Sequence, residues 1–389
     1  MGAPQETASR ILTDLAEIDA VAEAWRALEA DCADPLAYFQ SHDWCRNWIA
    51  QFAAPGRFEP FVQTLWRGGT LVAVWPLMIV HAAGLRRLET LGVPHTQYCG
   101  LLARPGAVPR AALADMAREA VARSGCDVAV LRAVPEGSAL ARALDGVPAV
   151  PGVGNEASML DLSAYESAEA YTAGLGKLQK RNRNRRRNHL ARLGALDFAV
   201  AWPGQAGFEA LVRQCAAMKR QWLAETGRYS AGFAMAGYED FLARLRGDAD
   251  ARAGAVAFVL RVDGRPVAIE LGFLHHRHYY AYIGGFDWSL RELSPGKVQM
   301  DMTVGWLIDN GIASYDLLIN PADYKASWSS HSLRVGFHAR ALSRKGALYT
   351  SIWLPRLRPA LKKFAGRVPE MTQTALAVLR SAACLLLYV

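Results

Sequence analysis

Residues 255–274 read AVAFVLRVDGRPVAIELGFL. Apolar side chains fill 255–262, Asp263-Gly264 is the two-residue turn that β-hairpins favour, and a second apolar run returns over 265–274. A third strand is expected over 278–284. Helical spacing takes over downstream, where Met300, Val304, Leu307 and Ile308 fall on one face. Ser294 is the candidate N-cap, Pro295 suits a first turn, and Gly311 closes the helix expected over 295–310. An apolar strand over 314–319 follows, so the predicted order is hairpin, third strand, helix, strand.

The same order occurs once before. Residues 61–66 alternate, Gly68-Gly69 offers a tight turn, and 70–80 continue as a second strand. A helix over 107–123 and a strand over 126–131 come next. The chain reads as a duplicated α/β unit joined near 148–156, where Pro and Gly cluster. The expected domains are 1–150, 151–350 and a helical tail over 351–389 that is basic and then apolar.

Composition supports two folded units. At 389 residues the chain exceeds what one core usually organises. Hydrophobic residues make up 52% and charged ones 21%, which excludes the highly charged, apolar-poor composition of a disordered chain. The six cysteines are scattered with no C-x-x-C pair, which argues against a disulfide framework or a zinc ribbon and for a reducing compartment. Residues 1–10 lack a basic start followed by an apolar run. The longest apolar stretch, 375–389, is shorter than the roughly 20 residues that span a bilayer. A cytoplasmic protein is expected, with the C-terminal tail as the element that would touch the inner membrane face.

The charge is concentrated. Net charge is +8, and residues 177–192 alone hold eight cations, including Lys177, Arg181, Arg183, Arg185, Arg186 and Arg187, with no acid. One cationic element rather than a broadly basic nucleic-acid surface is implied. Leu175, Leu178, Leu190 and Leu193 recur at helical spacing and predict a narrow apolar stripe. A solvated surface helix and a docking site for phosphates, acidic glycans or an anionic membrane both fit this pattern.

Several residues are placed to carry chemistry. Along 267–273 the strand period puts Glu270 with Ala268 and Gly272 on one face, away from Val267, Ile269, Leu271 and Phe273. A carboxylate beside a cleft accepts the proton of an attacking amine or hydroxyl, and partial burial raises its pKa toward neutrality. A solvated or arginine-paired glutamate is the competing explanation. Tyr280 and Tyr282 share a face of the next strand, as core residues or as cleft lining. Asp316 ends an apolar strand, and Tyr324 and Lys325 follow a Pro-containing turn, where binding residues tend to sit. A structural Asp–Lys pair is the alternative. The amides of Gly296, Lys297 and Val298, beside Ser294, would offer a helix-end anion site, or an ordinary helix start. His275-His276-Arg277-His278 reads as a polar turn, because adjacent histidines lack ligand spacing, and no metal is expected.

A family resemblance rests on several stretches taken together. They are Phe39-Gln40-Ser41-His42-Asp43-Trp44 with Trp48, residues 88–92 followed by Gln97-Tyr98, the arginine-rich helix, Lys219-Arg220-Gln221-Trp222, Ser294-Pro295-Gly296, and Tyr315-Asp316 followed by Asp323-Tyr324-Lys325. In order and spacing these resemble the tandem-GNAT acyltransferases. More narrowly, they resemble the BioF2-like acetyltransferase domain proteins of the CelD type, found in bacterial exopolysaccharide and cellulose gene clusters and distantly similar to FemAB aminoacyltransferases. The resemblance runs over about residues 35–345.

It implies an α/β (α+β) fold of two GNAT-like domains, each a mixed, largely antiparallel sheet flanked by helices, the second the more intact. It also implies transfer of an acyl group from acyl-CoA, such as acetyl-CoA, to an amine or hydroxyl of a sugar or surface-polysaccharide precursor. Lys325 would then hold the oxyanion, Glu270 act as base and Asp316 orient the lysine. Ser294, Gly296, Lys297 and Val298 would bind the donor, and Trp44, Tyr98, Tyr282, Tyr324, Arg181 and Arg185 the acceptor. The usual pyrophosphate loop, Arg/Gln-x-x-Gly-x-Gly/Ala, is absent before Pro295. Two other readings stay open: aminoacyl-tRNA-dependent transfer with the arginine helix on the tRNA, and a non-catalytic scaffold in polysaccharide assembly. The expected partners are acyl-CoA and a small-molecule or glycan acceptor, not nucleic acid.

Overall fold

A computed structural model of the chain describes residues 7–144, 147, 150, 155–319, 323–358 and 360. Contacts divide the chain into two units. The first takes Met1–Ala33, Phe39–Asn155 and Arg334–Val389, and the second takes Asp34–Tyr38 and Glu156–Leu333.

The first unit holds β1 (Thr7–Leu12), β2 (Phe58–Arg67), β3 (Thr70–Ala82), β4 (Leu85–Thr90), β5 (Leu102–Ala103), β6 (Val128–Pro135) and β14 (His331–Ala341). They line up as β1-β2-β3-β4-β6-β14, with β5 beside β3. Neighbours are antiparallel except β4 and β6. Every position of β3 from Leu71 to Val80 is buried. Both faces of the strand are covered, which is why its sequence reads as a continuous apolar run. The Arg110–Ser124 helix covers one face with Leu113, Met116, Ala117 and Ala120. Gly125, at φ 58, ends it in the left-handed conformation that suits glycine.

The second unit holds β7 (Asn155–Asp161), β8 (Leu196–Ala201), β9 (Gly247–Asp248), β10 (Ala253–Val262), β11 (Arg265–His275), β12 (His278–Phe286) and β13 (Ser314–Ile319). The order is β7-β13-β12-β11-β10-β8, with β9 beside β10. Again neighbours are antiparallel except for one pair, β12 and β13. The β10–β11 turn is the Asp263-Gly264 pair, both residues at positive φ as the tight hairpin turn requires. The Pro295–Asp309 helix buries Val298, Met300, Val304, Leu307 and Ile308 on one face of this sheet. The Phe208–Glu225 helix lies so close to β12 that a Cβ on Gly285 would come within 2.6 Å of the Cys215 carbonyl oxygen. Both units therefore repeat one topology: antiparallel meander, helix, then a strand parallel to the last meander strand.

The expected leucine stripe on the Lys177–Ala191 helix is corrected. Leu190 is buried, but Leu178 is 69% exposed and Leu193, just beyond the helix, 49%. The apolar end of the expected tail, 375–389, lies outside the described residues. Among the described residues no helix is long and apolar enough to cross a membrane.

Candidate active site

β12 and β13 run side by side for three rungs, His278↔Ser314, Tyr279↔Tyr315 and Tyr280↔Asp316. Among the described residues the ladder ends there. β12 immediately departs from its regular register against β11, because Leu271 pairs with Ile283 but Gly272 with Ala281, which leaves Tyr282 as a bulge. A bulge bends and twists a strand. On the other side, Leu318 of β13 adopts φ 64, and its N–H donates to the Asp316 Oδ1 at 2.7 Å. The two strands thus part beyond Tyr280 and Asp316 for local reasons on both.

Parting frees carbonyls, and one is expensive to leave buried without a partner, about 1–3 kcal/mol. The Lys325 ammonium meets two of them, donating to the carbonyls of Leu318 (3.1 Å) and Ile319 (2.9 Å). Lys325 is buried, and burial pushes its pKa down to about 8, with Asp316 opposing and Lys219 reinforcing that shift. Asp316 is fully buried, and its Oδ2 lies 3.1 Å from the His278 Nε2. Tyr280 packs edge-on against His278 at 4.6 Å and donates its hydroxyl to the Pro35 carbonyl. Phe273 stacks between Tyr38 (4.4 Å) and Tyr282 (4.8 Å), and the Tyr282 and Tyr238 hydroxyls are hydrogen-bonded. These side chains form one polar-aromatic layer on the Phe208–Glu225 side of the sheet.

Strand alternation sends the neighbours to the opposite face. There Glu270 accepts hydrogen bonds from the Tyr279 hydroxyl (3.0 Å) and the Tyr315 hydroxyl (3.0 Å), with Gln299 also bonded and Gln299 donating to Thr303 at 2.6 Å. Burial pushes the Glu270 pKa up to about 7 against these bonds. The face that the sequence marks with small residues is filled. A Cβ on Gly272 would sit 2.3 Å from the Tyr279 ring. Glu270 therefore belongs to a sealed cluster beneath the Pro295–Asp309 helix, on the other side of the sheet from Tyr280, Tyr282 and Asp316. That corrects the expectation that it shares a cleft with the tyrosines.

A cationic cleft of about 180 Å³ opens at the start of this helix. Lys297, Val298 and Asp301 line one wall and Arg183, Arg186 and Arg187 the other. Arg183 is fixed by Asp301 and by the Tyr171 hydroxyl (3.0 Å), and lies over the Trp328 ring at 4.2 Å. Burial and the neighbouring Arg186 hold the Lys297 pKa below its usual value. Ser294 occupies the N-cap position at φ 55, ψ 53 and makes no side-chain cap, but its carbonyl accepts the Lys297 and Val298 N–H groups at 3.0 and 3.4 Å. Gly296 lies against Phe286, at the end of β12, where a Cβ would still leave 3.6 Å. Cationic side chains and the positive end of the helix dipole make this cleft suited to an anion.

The structure thus brings Lys297 and Val298 together with arginines 183, 186 and 187, whereas Arg181 and Arg185 are exposed outside the cleft lining. It brings Asp316 near Lys325 and adds His278, which the sequence places both at the end of a polar turn and at the start of the third strand. Lys325 sits against the end of β13 while the Ser294–Gly296 corner sits by Phe286, and among the described residues no hydrogen bond or ion pair links them. Trp44 and Tyr98 are fully buried in the first unit, Trp44 bonded to Thr96 (2.9 Å) and the Tyr98 carbonyl to Gln40 (2.8 Å). The side chain of Tyr324 lies outside the described residues. His278 had one available signal: a position two residues before Tyr280 on a strand shares its face.

Residues 177–326 match the family described as "Acetyltransferase (GNAT) domain". No curated protein matches the chain significantly. Among solved structures, the chain is similar to the C-terminal domain (DUF2156) of a candidate lysylphosphatidylglycerol synthetase from Agrobacterium fabrum, at 14% identity and TM-score 0.54, over 86% of this chain and 94% of that one. It is similar to FemX at 12% identity and TM-score 0.55, over 84% and 98%. A tandem GNAT protein from the clavulanic acid biosynthesis pathway matches at 14% identity and TM-score 0.45, over 86% and 98%.

Proposed function

Taking residues 177–326 as a GNAT acyltransferase domain, we propose that the protein moves an acyl group from acyl-CoA to an amine or hydroxyl of a sugar or surface-polysaccharide precursor. The observation that carries this reading is the three-rung β12–β13 ladder that ends at Tyr280 and Asp316. Strand edges released in this way offer backbone N–H and C=O groups to an extended, amide-bearing arm. The cleft of Arg186, Arg187 and Lys297 would take the donor's phosphates. The sugar class is supported by the resemblance of the chain's motifs to those of the BioF2-like, CelD-type proteins. Acyl-CoA as donor fits the cytoplasmic location expected from the sequence.

In the proposed reaction the acceptor nitrogen or oxygen attacks the thioester carbonyl. A C–N or C–O bond forms, the C–S bond breaks and CoA leaves. An ammonium has three N–H groups; Lys325 gives two to carbonyls and the third to the developing oxyanion. His278, with Nε2 held by Asp316, takes the acceptor proton on Nδ1, and the departing thiolate is protonated from solvent.

Incubating the purified protein with acetyl-CoA and a panel of amino-sugar nucleotides, while following free thiol and acetylated product, tests this. Acceptor-dependent thiol release supports it; no thiol release together with no CoA binding rejects it. The exposure of Arg181 and Arg185 favours a second reading, FemAB-like transfer from aminoacyl-tRNA. It expects tRNA retention that falls steeply with salt.

A further inference from the structure

The Arg344–Leu348 helix runs directly into the Tyr349–Leu357 helix in the first unit. Its inner side buries Tyr349 and Leu354, which pack with Val128, Val130 and Phe337 of the sheet. Its outer side differs from the rest of the surface. Six large apolar residues stand exposed among the described residues, and three of them lie here: Leu348 (61%), Ile352 (42%) and Leu357 (47%). Arg344, Lys345 and Arg356 are exposed beside them. Leu348, Ile352 and Leu357 recur at steps of four and five residues, close to the i→i+5 turn of the π-helix that residues 349–357 form.

The sequence around these residues is one-signed. Between Arg344 and Glu370 it holds seven cations and no acid. A single exposed leucine is ordinary on a protein surface. An apolar row set in an acid-free cationic stretch combines the two signals that hold a peripheral helix on an anionic bilayer, apolar insertion and attraction to lipid phosphates. Neither signal alone suffices for stable attachment.

We propose that the outer side of residues 344–357 docks on an anionic lipid bilayer. Leu348, Ile352 and Leu357 enter the headgroup boundary, and Arg344, Lys345 and Arg356 face lipid phosphates. Charge complementarity selects anionic over zwitterionic lipid. The inference is independent of the acyl-transfer reading.

Co-sedimentation of the full chain with phosphatidylcholine vesicles, with and without phosphatidylglycerol, tests it. Binding is expected to the anionic vesicles and to be lost at high salt. Arg344→Gln, Lys345→Gln and Arg356→Gln together should weaken binding about a hundred-fold, about five-fold per charge. Leu348→Ser, Ile352→Ser and Leu357→Ser together should weaken it by about ten-fold or more at unchanged charge. Unaltered circular dichroism melts confirm folding of both variants. The proposal is overturned if the full chain ignores anionic vesicles at low salt, or if both variants bind like the parent. It is equally overturned if the leucine variant abolishes self-association of the chain while leaving vesicle binding intact.

Discussion

Tyr280 faces Asp316 on the last rung of the β12–β13 ladder, and the two side chains share the face on which His278 and Lys325 also lie. Where the backbone stops pairing with itself, a buried lysine takes over two of the freed carbonyls. The same lysine stands where β12 and β13 cease to pair.

Lys325→Ala removes both the carbonyl clamp and the proposed oxyanion donor. Loss of one such donor typically costs about 10²–10³ in rate. Steady-state thiol release should show kcat/KM falling by about that factor, and Lys325→Arg should recover part of it. Parental rates in Lys325→Ala would remove the residue from the mechanism.

The lowered pKa of Lys325, about 8, gives a pH dependence with a definite sign. The ammonium is the working form, so kcat/KM should fall as pH rises through about 8. Stability moves the other way. Between about 8 and the ordinary lysine value of 10.5 the unfolded chain binds more protons than the folded one, so Tm should rise across that window. Lys325→Met should abolish the rise, which a thermal melt series reads directly.

Glu270 gives the opposite slope. Its folded pKa of about 7 lies above the ordinary 4.5, so the folded chain binds the extra proton between those values and loses stability as pH climbs through them. Glu270→Gln keeps a neutral partner for the tyrosines and should flatten the Tm profile from pH 4.5 to 7. Because the carboxyl is sealed beneath the helix, the rate should change by no more than a few-fold. A large rate loss with an unchanged stability slope would restore Glu270 as a base.

Gly272→Ala tests the sealed cluster of Glu270 and Tyr279. The new methyl would meet the fully buried Tyr279 ring at 2.3 Å. Overpacking of this kind typically costs about 1–3 kcal/mol, to be read from denaturant midpoints.

The second unit's meander was legible because its signals are local. The Asp263-Gly264 turn, the Ser294-Pro295 helix start and the apolar strand of residues 314–319 each announce themselves within a few residues, and the structure places each within a residue or two. β14 was not legible. Its partner, β6, is about two hundred residues away in sequence, with Val335 opposite Pro135, and a non-local register has no local marker. The same limit governs the site. Alternation put Glu270 on the correct face, but what covers that face, the Tyr279 ring and Gln299, comes from other strands and helices. His278 was hidden by its neighbours, since His276-Arg277 do form a turn, with His275 ending β11 and His278 beginning β12. Leu178 and Leu193 misled because helical spacing records which residues align, not whether anything packs against them.

The central claim is that the parted strands and the cleft at the Pro295–Asp309 helix together hold a CoA-type donor. Calorimetric titration of the chain with CoA, set beside the Arg186→Ala, Lys297→Ala double variant, tests it most directly. Saturable binding by the parent, weakened about ten-fold or more in the variant as two phosphate-facing cations are lost, is the expected result. Absence of binding heat from the parent, or equal affinity in the two proteins, would contradict it.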